Sequence, residues 1–250
     1  MDEESKPVVQ DPNVVVGWGV NLDVMMGRKQ IPKPKLDSRR DKWTRWLGPI
    51  HEDLSALAIN RMAWRTLTTI WREREPPLPP SFIFDFFATT YAHAQASGVR
   101  RQVDHRGDVT SLWRLLKEVE EHPEHLDHDW FVGHYAWGDQ WRGEREFAAL
   151  DPDGTGHIDP GEAKRDLERI MEVAEGIREW VHKHVAHLST TPSPTVPTFD
   201  ELDAALDAMA EVFARWNCIF TGVDLVSIEP VPQYDFLAPL RMPWLLSPNG

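Results

Sequence analysis

The sequence predicts an all-α protein, an antiparallel helical bundle with an irregular N-terminal arm and a helix-loop-helix element. Three observations lead there. Apolar residues recur at three- and four-residue spacing over long stretches, those stretches are parted by short Pro-, Gly- or Ser-containing runs, and Ser, Thr or Asp stands where several of them begin. With 250 residues, 41% hydrophobic and 27% charged, the chain is long enough to bury one sizeable core and has the composition of a folded protein. The expected organisation is an extended arm over residues 1–37 and one helical domain over 38–250. That domain includes a helix-loop-helix at 140–170 and a Pro-rich tail at 222–250.

In the arm, Val runs alternate with Pro, Gly and charge, and the Ile31–Lys35 stretch with its two prolines cannot continue a helix or a central strand. From Asp53, the positions Leu54, Leu57, Ala58, Arg61, Met62, Trp64, Arg65, Leu67, Thr68 and Trp71 follow a helical period, and the prolines of 76–80 end the helix. Ser81 is placed to cap a second helix, with Phe82, Phe86, Phe87, Tyr91, Ala94 and Val99 as its apolar side, running to about His105. Asp108 or Thr110 opens a third, in which Leu112, Leu115, Leu116 and Val119 face inward and Pro123 is the stop.

Residues 125–138 have no clear period and read as a loop. A short helix over about 140–150 and a long one over about 160–188 flank a polar segment at 151–159. The run from Ser189 to Pro197, with its three prolines, is a linker. Thr198 with Glu201 three residues on is a capping-box pattern, opening a last helix through Leu202, Leu206, Met209, Val212, Phe213 and Trp216.

A formal net charge of -13, from 27 basic and 40 acidic side chains, repels nucleic acid and anionic membrane overall, so any nucleic-acid role needs a local basic patch. One cysteine, Cys218, excludes an internal disulfide framework. The acidic first residues form no secretory signal, and no apolar run approaches the ~18 residues of a membrane span, so no membrane role and a cytoplasmic location are expected.

Residues 151–162 read Asp-Pro-Asp-Gly-Thr-Gly-His-Ile-Asp-Pro-Gly-Glu. This pattern resembles an EF-hand calcium loop, which supplies oxygen ligands from positions 1, 3, 5, 7, 9 and 12 and needs Gly at 6 for the sharp turn. The resemblance implies calcium as a cofactor, held by Asp151, Asp153, Thr155, the His157 carbonyl, Asp159 and Glu162, with Gly156 at the turn. A metal-free reading accounts for part of the same residues: Asp-Pro-Asp-Gly forms a turn, and Asp159 before Pro160 caps the next helix. No second such loop occurs in the sequence.

A further likeness rests on residues 99–104 (Val-Arg-Arg-Gln-Val-Asp), 111–116 (Ser-Leu-Trp-Arg-Leu-Leu), 180–187 (Trp-Val-His-Lys-His-Val-Ala-His) and 198–203 (Thr-Phe-Asp-Glu-Leu-Asp). Over about residues 43–244 the chain resembles the abortive-infection U-type branch of the HEPN superfamily. Active members of that superfamily are metal-independent ribonucleases built on an Arg and a His a few residues apart. The resemblance therefore implies RNA as a partner, a role in bacterial conflict or defence, and a homodimer in which two copies of the functional helix meet. The candidate residues are Arg178 with His184 and His187, and Arg100 with His105. Where the family pattern has its Arg this chain has Val181 or His182, so a pair survives only through Arg178 or His184. That departure favours RNA binding or a degenerate ribonuclease; the other reading is a non-enzymatic interaction scaffold stabilised by calcium. The chemistry suits the first: His shuttles protons near neutral pH, and Arg grips a phosphate.

Two plainer expectations stand beside these. Arg100, Arg101 and Asp104 can form an ion-pair network between helices, and His122, His125, His128 and His134 beside Asp127 and Asp129 can form a solvated polar turn rather than a metal site.

Overall fold

A computed structural model describes residues 38–73, 82–185, 195–231 and 238, all within the compact unit Lys33–Gly250. Its regular elements are helical: α1 (Ser38–Glu73), α2 (Phe82–Gln102), α3 (Leu112–Glu121), α4 (His128–Val132), α5 (Gln140–Leu150), α6 (Pro160–Trp180) and α7 (Phe199–Thr221). A 3-10 turn at Pro123–His125 precedes α4, and a π-helical turn at Val181–Val185 continues α6. The arm over 1–37, the Ser81 cap, His187 and most of the 222–250 tail lie outside the described residues.

Helix α6 lies at the centre, packed on α2, α3 and α7, while α1 packs on α2 and α7. The core between them is built from Trp43, Leu54, Val99, Leu116, Ile170 and Trp216, all fully buried. A smaller apolar cluster around Trp64, Leu67 and Tyr91 joins the second half of α1 to the first half of α2.

Helix α1 starts at Ser38, well before the period becomes plain at Asp53. It runs through Pro49, which removes one backbone donor and ordinarily breaks a helix. Here Trp43, Leu47 and Ile50 continue the buried stripe of Leu54 and Leu57, and their burial outweighs the local penalty. Helix α2 ends at Gln102, and its buried side is Tyr91, Gln95, Ala96, Gly98, Val99 and Gln102. Phe82 and Phe86, expected to face inward, are 84% and 52% exposed, because the inner side of this end of α2 is taken by Phe84, Phe87 and Ala88, which pack on the smaller cluster. Helix α3 buries the four residues expected of it, but its cap is Ser111, whose hydroxyl accepts from the Arg114 amide at 3.2 Å.

The stretch expected as a loop at 125–138 holds α4, capped by Asp127, whose carboxylate accepts from the Trp130 amide. Helix α7 has its capping box complete, with Thr198 N–H donating to Glu201 at 2.7 Å and Glu201 N–H to the Thr198 hydroxyl at 3.2 Å. It ends at Gly222, whose φ of 67° is the left-handed conformation that glycine takes without strain.

Candidate functional site

A cleft of about 410 Å³ opens between the end of α2 and the end of α6, lined by Arg100, Asp104, His105, Glu175, Arg178 and His182 among others. The end of α2 is anchored by Gln102. This buried side chain donates to Asp53 of α1 at 2.7 Å and accepts from the Leu112 amide of α3 at 3.1 Å, tying three helices together. Arg101 reaches the same Asp53 at 2.6 Å. Past the helix, the Asp104 carbonyl accepts from the Ser111 hydroxyl at 2.6 Å, which fixes the turn carrying His105. On the other wall, Ile177, Trp180 and Val181 are buried. That leaves Glu175 and Arg178 on the open side of α6. The π-helical turn adds a residue to its turn, and His182 lines the cleft.

The structure thus joins Arg100 and His105 from one sequence pair with Arg178 from the other. It does not join Arg178 with His184. His184 turns away, its ring centroid 6.4 Å from that of Trp180 and its Nε2 buried with no hydrogen-bond partner among the described residues. His182, four residues after Arg178, takes the place in the cleft instead. The signal for it was present in that i, i+4 spacing, but the spacing alone did not set it apart from His184. The expected network of Arg100, Arg101 and Asp104 does not form: Arg101 pairs with Asp53 of α1, Asp104 pairs locally with Arg106, and both arginines are exposed.

Arg100 forms no ion pair among the described residues. The guanidinium of Arg178 makes only a weak contact to the Met171 sulfur at 3.9 Å. By contrast Arg61, Arg65, Arg101, Arg114 and Arg215 each hold a carboxylate. Arg100 sits in the last turn of α2, where the negative end of the macrodipole favours a cation and offsets part of its charge, whereas beyond Arg178 the helix runs on through the π-helical turn. Burial pushes the Asp104 carboxyl upward, but hydrogen bonds from the Arg106 backbone and side chain, with Arg100 nearby, win and hold it below the usual carboxylate range. The cleft therefore offers two guanidinium groups without an ion pair among the described residues, two imidazoles, and carboxylates at its edge.

The 151–162 loop is well ordered by its own hydrogen bonds. Gly154 and Gly156 have φ of 65° and 86°. The Asp151 carboxylate accepts from the Thr155 amide at 2.8 Å and hydroxyl at 2.9 Å, and from the Gly156 amide at 2.7 Å. Against the upward push of burial, these bonds hold its pKa below the usual range. His157 pairs with Asp127 in an isolated antiparallel bridge, with the Ile158 amide donating to the Leu126 carbonyl at 3.1 Å and the His128 amide to the Gly156 carbonyl at 3.2 Å. The loop therefore has a backbone partner, supplied by a segment without a calcium-loop pattern.

The glycines and the oxygen types of this loop fit a calcium ion. Three of its carboxylates hold protein partners as well: Asp151 as above, Asp159 as the cap of α6 through the Gly161 amide at 2.8 Å, and Glu162 through Arg165 and Arg215. Asp153 and Thr155 are exposed. Among the described residues no group of three or more His, Cys, Asp or Glu side chains is gathered as a metal site. The other histidine cluster is dispersed: His122 and His125 flank Glu124, His128 lies between Asp129 and Glu144, and His134 contacts the Phe131 carbonyl.

No family model, curated protein or solved structure matches this chain. No described helix is long and apolar enough to cross a membrane.

Proposed function

We propose that this is a HEPN-like helical protein of a bacterial conflict or defence system, and that it binds single-stranded RNA through the Arg100–Arg178 cleft. The observation that carries this reading is that residues from both Arg–His pairs line one cleft, and that its two half-buried arginines form no ion pair among the described residues, whereas half-buried Arg40, Arg114 and Arg215 and buried Arg61 each hold a carboxylate. An arginine fork matches a phosphate oxygen pair, and it binds most strongly where no internal carboxylate competes. His105 and His182 are the groups able to move a ribose hydroxyl or leaving-group proton, so binding is the primary role and cleavage rests on those two. A homodimer is the form expected from the family resemblance, and a cytoplasmic setting is the one that suits a chain with a single cysteine.

The test is an RNA-binding and cleavage assay with the full chain, alongside light scattering for its oligomeric state. Wild type is expected to bind RNA, Arg178→Ala and Arg100→Ala each to weaken binding about tenfold or more, and His182→Ala to leave binding while removing any cleavage. RNA affinity equal in wild type and both arginine variants overturns the proposal.

A second reading, a scaffold stabilised by calcium, is favoured by the two positive-φ glycines and the backbone bridge from His157 to Asp127. The residues that would hold the ion are Asp151, Asp153, Thr155, the His157 carbonyl, Asp159 and Glu162, and Glu162 would have to leave Arg215 to take part. A melting temperature raised by calcium and lowered again by EDTA, with no RNA binding, selects this reading; a melting temperature indifferent to both removes it.

A further inference from the structure

The cleft contains three carboxylates, and two of them are satisfied. Asp104 is paired with Arg106 at 3.1 Å and Glu179 with Lys183 at 2.6 Å. Glu175 has no ion pair among the described residues, although it lines the same cleft and stands three residues before Arg178 on one helix, the spacing at which opposite charges ordinarily pair. The cleft thus holds an acceptor-only group and two donor-only groups that do not neutralise one another. A ligand that complements it carries an anion for the guanidinium groups and paired N–H donors for the carboxylate.

We infer that Glu175 selects guanine, and that the cleft takes a single guanosine monophosphate unit, free or within RNA. This rests on the RNA reading of the same cleft and narrows it. An ionised carboxylate has two oxygens that only accept. Guanine offers two adjacent donors, N1–H and the N2 amine, that match both. Adenine and cytosine set one amine beside a ring nitrogen that also accepts, and uracil sets its N3–H between two carbonyls; each would oppose a lone pair to the second oxygen. The volume of about 410 Å³ lies in the range of small-ligand clefts. The charge balance also favours one nucleotide unit over a run of backbone. Two guanidinium groups suit one phosphate, whereas the carboxylates around them and the net charge of -13 repel a succession of phosphates.

The experiment measures affinity of the full-length protein for GMP, IMP, AMP, CMP and UMP by calorimetry, with single-stranded RNA binding measured in parallel. GMP is expected to bind about tenfold to a hundredfold more tightly than AMP, CMP or UMP, the discrimination of one bidentate contact. IMP, which lacks the N2 amine, should fall between. Glu175→Gln, which puts a donor in place of one acceptor, should abolish the preference for GMP while circular dichroism remains that of wild type. Arg178→Ala should weaken all five. Equal affinity for GMP and AMP, a preference that survives in Glu175→Gln, or RNA binding without any mononucleotide binding overturns the guanine assignment and leaves the RNA reading standing. Absence of both RNA and mononucleotide binding overturns both.

Discussion

Two glycines in equivalent helical settings should respond to the same substitution with opposite signs. Gly98 of α2 lies against α1: a Cβ there would collide with Leu57 Cδ2 and meet Cδ1 at 2.7 Å and Cγ at 2.9 Å, and Leu57 is itself 2% exposed in the core. Gly176 of α6 has nothing within 4 Å of such a Cβ. Alanine gains about 1 kcal/mol over glycine in a helix interior at either position. At Gly98 that gain is opposed by overpacking, which costs about 1 to 3 kcal/mol when a filled core must yield. All three contacts are too close for a relaxed methyl, which points to the upper part of that range. Gly98→Ala should therefore destabilise by about 1 to 2 kcal/mol net, and Gly176→Ala should stabilise by about 1 kcal/mol. For a domain of this size each kcal/mol moves the melting temperature by roughly 2 to 4 °C, so the two variants should melt on opposite sides of wild type. Urea unfolding followed by circular dichroism, with thermal melts as a check, measures both. If Gly98→Ala is as stable as Gly176→Ala, the close approach of α1 and α2 described above is wrong.

Asp166→Ala should cost about 2 to 3 kcal/mol, because it strands the indole N–H of fully buried Trp216, now bonded at 2.8 Å; the Arg215 pair adds little, its guanidinium being partly exposed. A loss below about 0.5 kcal/mol in urea unfolding would mean that Trp216 finds another acceptor. Burial lowers the pKa of His51, which stacks on Phe213, and outweighs the opposing pull of Glu52. Above about pH 6.5 the ring is neutral in both folded and unfolded chains and contributes nothing. Below it the unfolded chain takes the proton first, so stability is lost as pH falls. His51→Gln should flatten that loss as pH falls below about 6.5, and a His51 resonance titrating above the ordinary histidine value would contradict the assignment.

Much of the helical content was legible because the apolar period survives wherever a helix faces the main core. Leu112, Leu115, Leu116 and Val119 are a plain case, and the Thr198–Glu201 box announces α7 from sequence chemistry alone. The start of α1 was hidden by Gly48 and Pro49, whose local preference opposes helix while Trp43, Leu47 and Ile50 override it from a distance. The facing of Phe82 and Phe86 could not be read, since an aromatic residue on a helix says nothing of whether a neighbour reaches it. Gln95 and Gln102 were missed as core residues because each is buried only by virtue of a specific partner, the Leu57 carbonyl for one and Asp53 with the Leu112 amide for the other. The cleft was half legible. Arg100, His105 and Arg178 stood out as chemistry, but pairing by spacing looks along one helix, whereas the site is assembled across two. The π-helical turn that contains both His182 and His184 has no signature in a list of spacings.

The bridge between His157 and Asp127 makes the 151–162 loop a buckle between the two ends of the helical domain. Asp127 also holds Arg40 in the first turn of α1 at 3.2 Å, while Glu162 at the far end of the loop holds Arg215 of α7. A disturbance of this short surface loop is therefore carried directly to the first helix and the last, although the two lie 175 positions apart in the chain, counting from Arg40 to Arg215. Whatever sets the tension in the buckle sets how firmly the opening and closing helices of the domain are fastened to its centre.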